Sequence, residues 1–221
     1  MLDENIERNE LSIVMLGSFN PVIITPFWLS GKSLIRESDA TSAEVNIIHN
    51  EVVEFDLGWA SFEITQNRFS VKCTKEPFFE IVIDLVVGIF TILKETPINS
   101  FGFNHNNKIS LRNEKRFYEL GNKLCPLGNW SDFLNEPRLQ RLEILEKESK
   151  QKQDGSVLIT VYAISEPEIS FGVGININDH YNFSEGKERS TFSASQLLKL
   201  WPNSVEVSKN ILNKLSYSLK L

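Results

Sequence analysis

The fold class that this sequence predicts is α+β, an antiparallel sheet with covering helices. From 44 to 74 the chain alternates hydrophobic and polar residues and is rich in Val, Ile and Phe, the period-two pattern of half-buried strands. PFFEIVIDLVVGIFTILKETP, at 77–97, then carries an apolar run that reads as a helix. The succession returns later as strand-like runs at 138–149, 155–165 and 168–183, followed by a helical region at 193–219 interrupted near Pro202. This order reads as internal duplication of a three-strand-plus-helix unit, with pseudo-repeats at 44–95 and 138–219 inside one domain of 221 residues.

Each element has a local reason. LSIVMLGSFN (11–20) is an apolar strand that ends in a Gly-Ser turn, and PVIITPFWLSGKSLI (21–35) has helical spacing, with Pro26 suited to a first turn. The alternating stretch divides into strands at about 44–56, 58–65 and 68–74, with Gln66-Asn67 as a tight turn. The helix at 78–94 reads as buried on nearly all sides, which makes Asp84 costly: it must meet a cation or amide, or mark a face turned to a partner. FGFNHNNKISL (101–111) is a strand, NEKRFYELGNKLCP an amphipathic helix and WSDFLNEP a short helical turn. KQKQDG is a hairpin loop with Gly155 at positive φ, and SEGKERS is a polar loop before the last helix.

Composition narrows the function. Hydrophobic residues make up 41% and charged residues 24%, ordinary values for a globular chain, and the net charge is −6. That balance argues against direct nucleic-acid binding, which needs clustered cations; Lys108, Arg112, Lys115 and Arg116 read as a solvated helix face. The run at 77–97 is interrupted by Glu80 and Asp84, so no membrane role is expected. The acidic start MLDENIERNE has no leader-like pattern, and Cys73 and Cys125 read as buried thiols rather than a disulfide; both fit a cytoplasmic location.

The chemistry-bearing residues are sparse. Only three histidines exist, His49, His105 and His180, and no pair has a spacing that sets two ligands on one element. His105 in FGFNHNN and His180 beside Asp179 in GININDHYNF are the catalytic candidates, yet neighbours on a strand point to opposite faces, so Asp179 is poorly placed to orient His180. Ser18 reads as a turn and cap. Gly31-Lys32-Ser33 lacks the upstream glycine of a phosphate loop, and Glu148-Ser149-Lys150 sits in a charged loop rather than a core sheet. No cofactor or metal site is expected. Trp28, Trp130 and Trp201, near helix ends, join Asp84 as candidate partner contacts, with core packing the competing role.

Four segments taken together, GSFNPVIITPFWL, GWASFEITQNRFSV, FGFNHNN and INDHYNF, resemble a sporadically distributed family of uncharacterised bacterial α+β proteins of this length. The family brings no established activity or catalytic residues. The resemblance implies a bacterial protein and, by association, a defence-related (antiviral) setting.

Three functions are compatible with these observations. The leading expectation is a non-enzymatic accessory or adaptor subunit of a bacterial multi-protein system, binding a protein partner or a second copy of itself. The alternative is a metal-dependent hydrolase or nuclease, which requires His105, Asp179 and His180 to meet in one pocket. A third is an acidic inhibitor or immunity protein.

Overall fold

The first strand, β1 (Ile6–Gly17), alternates Leu11, Ile13 and Met15 with Glu10, Ser12 and Val14, and all three of the former are fully buried. In the computed structural model, which describes residues 6–147, 155–164, 166, 169, 171–183 and 192–219, this strand lies near the middle of the molecule. A 3-10 turn at Pro21–Ile23 and two short helices follow, α1 (Pro26–Gly31) and α2 (Glu37–Thr41). The expected single helix over 21–35 is therefore broken: Thr25 caps α1 through its hydroxyl at 3.3 Å from Trp28 N, and Ser33 turns the chain with φ 57°.

Next come β2 (Glu44–Ile48), β3 (Val52–Asp56), β4 (Ser61–Thr65) and β5 (Arg68–Cys73). The expected strand over 44–56 is a hairpin, because His49 and Val52 exchange main-chain hydrogen bonds of 2.8 and 3.1 Å around Asn50 and Glu51. The first proposed repeat segment thus holds four strands, not three. After them come α3 (Phe79–Ile92), β6 (Ile98–Ser110), α4 (Glu114–Leu124), β7 (Arg141–Glu146), β8 (Gly155–Ile164), β9 (Gly172–Asn182) and α5 (Ser195–Leu219). α5 runs unbroken through Pro202, where an interruption was expected. Most of KQKQDG and all of SEGKERS fall outside the described residues.

The nine strands of the described residues form one sheet in the order β2-β3-β4-β5-β1-β6-β9-β8-β7, antiparallel throughout. β1–β5 occupy one side and β6–β9 the other, meeting where β1 pairs with β6. In each half the long first strand pairs with the last strand of its meander, β1 with β5 and β6 with β9. At the end of β1 the register slips, and a side-chain carbon at Gly17 would strike the carbonyl oxygen of Pro97, so only glycine lets the two backbones approach.

The helices pack on one face of this sheet. One cluster joins β1, β3, β4, β5 and the start of β6 (Phe55, Phe62, Phe69, Phe101, Phe103) to Leu29 of α1, to α3, and to Leu197 and Trp201 of α5. A second joins Ile109, Val161, Val173 and Ile175 to Leu120 of α4 and Leu212 of α5. No described helix packs on the opposite face, the arrangement an antiparallel sheet allows.

α3 is less buried than expected. Val82, Ile83, Val86, Ile89 and Phe90 enter the core, while Glu80, Ile81, Asp84, Thr91 and Ile92 form an exposed stripe. Asp84 is thus solvated. Among the described residues no helix is long and apolar enough to cross a membrane. Cys73 and Cys125 are free thiols, the first buried and the second half-buried.

Candidate functional site

The pairing of β6 with β9 decides where the sequence candidates go. Phe103 lies opposite Asp179, His105 opposite Ile177 and Gly102 opposite His180. Side chains alternate along each strand, so His105 and Asp179 face the helices while His180 faces the open side. The sheet separates them, and the shared pocket required of a hydrolase does not form. Among the described residues no group of three or more His, Cys, Asp or Glu is placed to hold a metal ion.

On the covered side these groups form a polar layer against α5. His105 Nε2 is 2.9 Å from Ser204 Oγ, and its ring stacks on Trp201 at 5.5 Å between centroids and 14° between planes. Trp201 Nε1 donates to Glu80 Oε1 at 2.7 Å, tying α5 to the first turn of α3. Tyr181 Oη donates to Asp179 Oδ2 at 2.9 Å. Burial pushes the His105 imidazole down to about 4 and the Tyr181 phenol up to about 12, the latter partly opposed by a hydrogen bond with Asn203. Asp179 and Ser204 are both 0% exposed, which leaves no approach for a substrate. This layer joins the sheet to α5 and α3.

The open side holds a second polar system, built from the alternate residues of the same strands. Asn178 Nδ2 donates to Asn104 Oδ1 at 2.6 Å, and His180 Nε2 lies 2.9 Å from Asn182 Oδ1. Tyr162 of β8 lays its ring over Gly174 of β9 and donates from Oη to Asn106 Oδ1 at 3.0 Å. Asn106 Nδ2 in turn donates to Glu10 Oε2 at 3.3 Å. Glu10 is nearly buried and meets Lys72 at 3.0 Å and Lys108 at 3.7 Å; Lys108 also meets Glu166 at 2.7 Å. Burial alone would raise the Glu10 pKa, but the hydrogen bond and charge of Lys72, with Lys108 and Asn106 behind them, outweigh it and hold the carboxyl below its ordinary value. The sequence points only to His180 here. Lys108, expected on a solvated helix face, instead lies on strand β6 with a mostly buried side chain, and Glu10, Asn106 and Tyr162 carry no sequence signal, because only strand register brings them together.

The candidate partner contacts separate clearly. Trp201 lies in the core, stacked on His105 and away from any surface a partner could reach; Trp28 is half-buried against the first cluster. Trp130 is exposed, within a segment that also exposes Phe133 to 80% and Leu134. Both outer strands of the sheet add exposed apolar residues: Val45, Ile47 and Ile48 on β2, and Ile144 and Leu145 on β7. Of this set the sequence reading named only Trp130. The exposed residues of β2 and β7 carry no distinguishing signal, since a strand's place at an edge is not written locally.

Comparison with protein-family models and with curated proteins finds no match for this chain.

Proposed function

We propose that this protein is a non-enzymatic interaction subunit, an accessory or adaptor component of a bacterial multi-protein system. The observation that carries the reading is the exposed apolar segment Trp130, Phe133 and Leu134, which precedes β7, an edge strand of the described sheet with Ile144 and Leu145 exposed. Large apolar residues gathered in one stretch of surface mark sites that a second protein covers. The exposed stripe of α3, with Ile81 and Asp84, offers a further contact on the helix side. For the duplication reading there is a similar order in β1–α3 and β6–α5, each a long strand, helical connection, meander and covering helix. The first meander has four strands and the second three, so the repeated unit is not the three-strand-plus-helix one expected.

The test is reconstitution with proteins co-purified from the native host, comparing wild type with the double variant Trp130→Ala/Phe133→Ser. Both residues are exposed, so the variant should fold normally and lose the partner. Capture that is unchanged in the variant and weakens steeply with salt would instead favour the acidic inhibitor reading.

A further inference from the structure

We propose that β7 is a homodimerisation edge, at which a second copy of this chain adds its own β7 antiparallel across a two-fold axis through Leu142. The inference rests on the interaction reading above only in assigning β7 to a contact, and it names the occupant.

The main chain supplies the first argument. Ala163 N donates to Gln140 O at 3.0 Å, continuing the register Arg141↔Tyr162 and Leu142↔Val161. Hydrogen-bonded and non-hydrogen-bonded pairs alternate along an antiparallel ladder. Gln140, Leu142 and Ile144 therefore turn their main-chain groups toward β8, and Arg141, Glu143 and Leu145 turn theirs outward. Nothing in the described sheet pairs with that outer side.

Charge selects the occupant and the register. A two-fold axis perpendicular to the sheet keeps the two faces continuous, so facing residues must share a face. Centred on Leu142, it sets Arg141 opposite Glu143 of the second copy, twice, and Leu142 opposite itself. Arg141 and Glu143 are the residues with outward main-chain groups, so each facing pair exchanges two hydrogen bonds as well as opposite charges. Within one chain Arg141 Nη2 already lies 2.5 Å from Glu143 Oε1 on the same face, so the dimer would create a square of alternating charge. Other centres fare worse. Centring on Glu143 opposes two glutamates, and centring on Leu145 faces Glu143 with Lys147, which lies beyond the end of β7; only the Leu142 centre sets opposite charges against each other within the strand.

The other edge is unlike this one. β2 carries a register shift between Val45 and Ile47, a bulge that bends an edge away from pairing, and its only charged residue is Glu44. β7 pairs with β8 without a shift. One pairing edge and one blunted edge give a closed two-fold dimer rather than a filament. A strand junction of this size buries less than a standard interface, so the dimer will depend on concentration.

The experiment is sedimentation velocity of the full chain over a concentration series, with Arg141→Glu and Glu143→Arg each alone and then mixed in equal amounts. Both side chains are solvent-accessible, so neither change threatens the fold. Wild type is expected to dimerise, and each single reversal to weaken dimerisation at least tenfold by facing like charges. The mixture is expected to restore dimers, as heterodimers, because every facing pair is then opposite in sign. A wild type that stays monomeric at all concentrations overturns the proposal, including the case in which β7 takes a strand from a different protein. Dimers that ignore both reversals overturn it as well. Partner capture through Trp130 and Phe133 is read separately, so loss of the dimer alone leaves the interaction reading standing.

Discussion

His105 of β6 and Ser204 of α5 approach to 2.9 Å across the boundary between sheet and helix, in a layer closed to solvent. The imidazole is neutral there, with its pKa pushed by burial from 6.5 to about 4. The unfolded chain therefore takes up the proton first. Stability contributed by this site is full above about pH 6.5 and is lost as pH falls toward 4, up to about 3 kcal/mol. Urea titrations at a series of pH values between these limits should show the slope in wild type and a flatter one in His105→Gln. An equal slope in both would remove His105 as its source.

Glu10 works in the opposite sense. Its carboxyl is held below the ordinary value, so its contribution is present above about pH 4.5 and disappears as pH falls through the lower folded value. Glu10→Gln keeps the shape and leaves Lys72 and Lys108 without that charge; a loss of about 1–2 kcal/mol at neutral pH is expected. The gap between variant and wild type should close in acid, as read by denaturation at pH 7 and below 4.

Gly174 and Tyr162 form a matched pair. A methyl group at Gly174 would overlap the Tyr162 ring, forcing the phenol off Asn106. Gly174→Ala is expected to cost about 1–3 kcal/mol, and Tyr162→Ala to absorb most of that cost when the two are combined. Additive losses in the double-mutant cycle would contradict the coupling.

Gly17→Ala should be harsher, about 3 kcal/mol or more, because the obstacle is the Pro97 backbone rather than a movable side chain. A melting temperature unchanged from wild type would show that the β1 end can shift to make room.

How much of this was legible depends on range. Alternation along FGFNHNN and GININDHYNF placed His105 and His180 on strands, and the rule that neighbours diverge correctly parted Asp179 from His180. The partnership of His105 with Ser204 was not legible, because it joins residues 99 apart in sequence and depends on how α5 crosses the sheet. α3 read as wholly buried because hydrophobicity reports how apolar a helix is, whereas the exposure of Ile81 and Asp84 depends on its lying on one side of the sheet. The hairpin at His49 was hidden for a related reason. Its strands keep the same alternation on either side of the turn, and β2, at the edge, exposes every residue.

The central place of β1 has a consequence for how the protein is made. One flank of β1 is satisfied by β5 within the first third of the chain, but the other waits for β6, which ends at Ser110. While the chain leaves the ribosome, Leu11, Ile13 and Met15 belong to a strand with an open flank until that segment emerges. The segment up to β5 therefore depends on β6 for a neighbour, and truncation before Ser110 should give an aggregating fragment rather than a smaller stable protein.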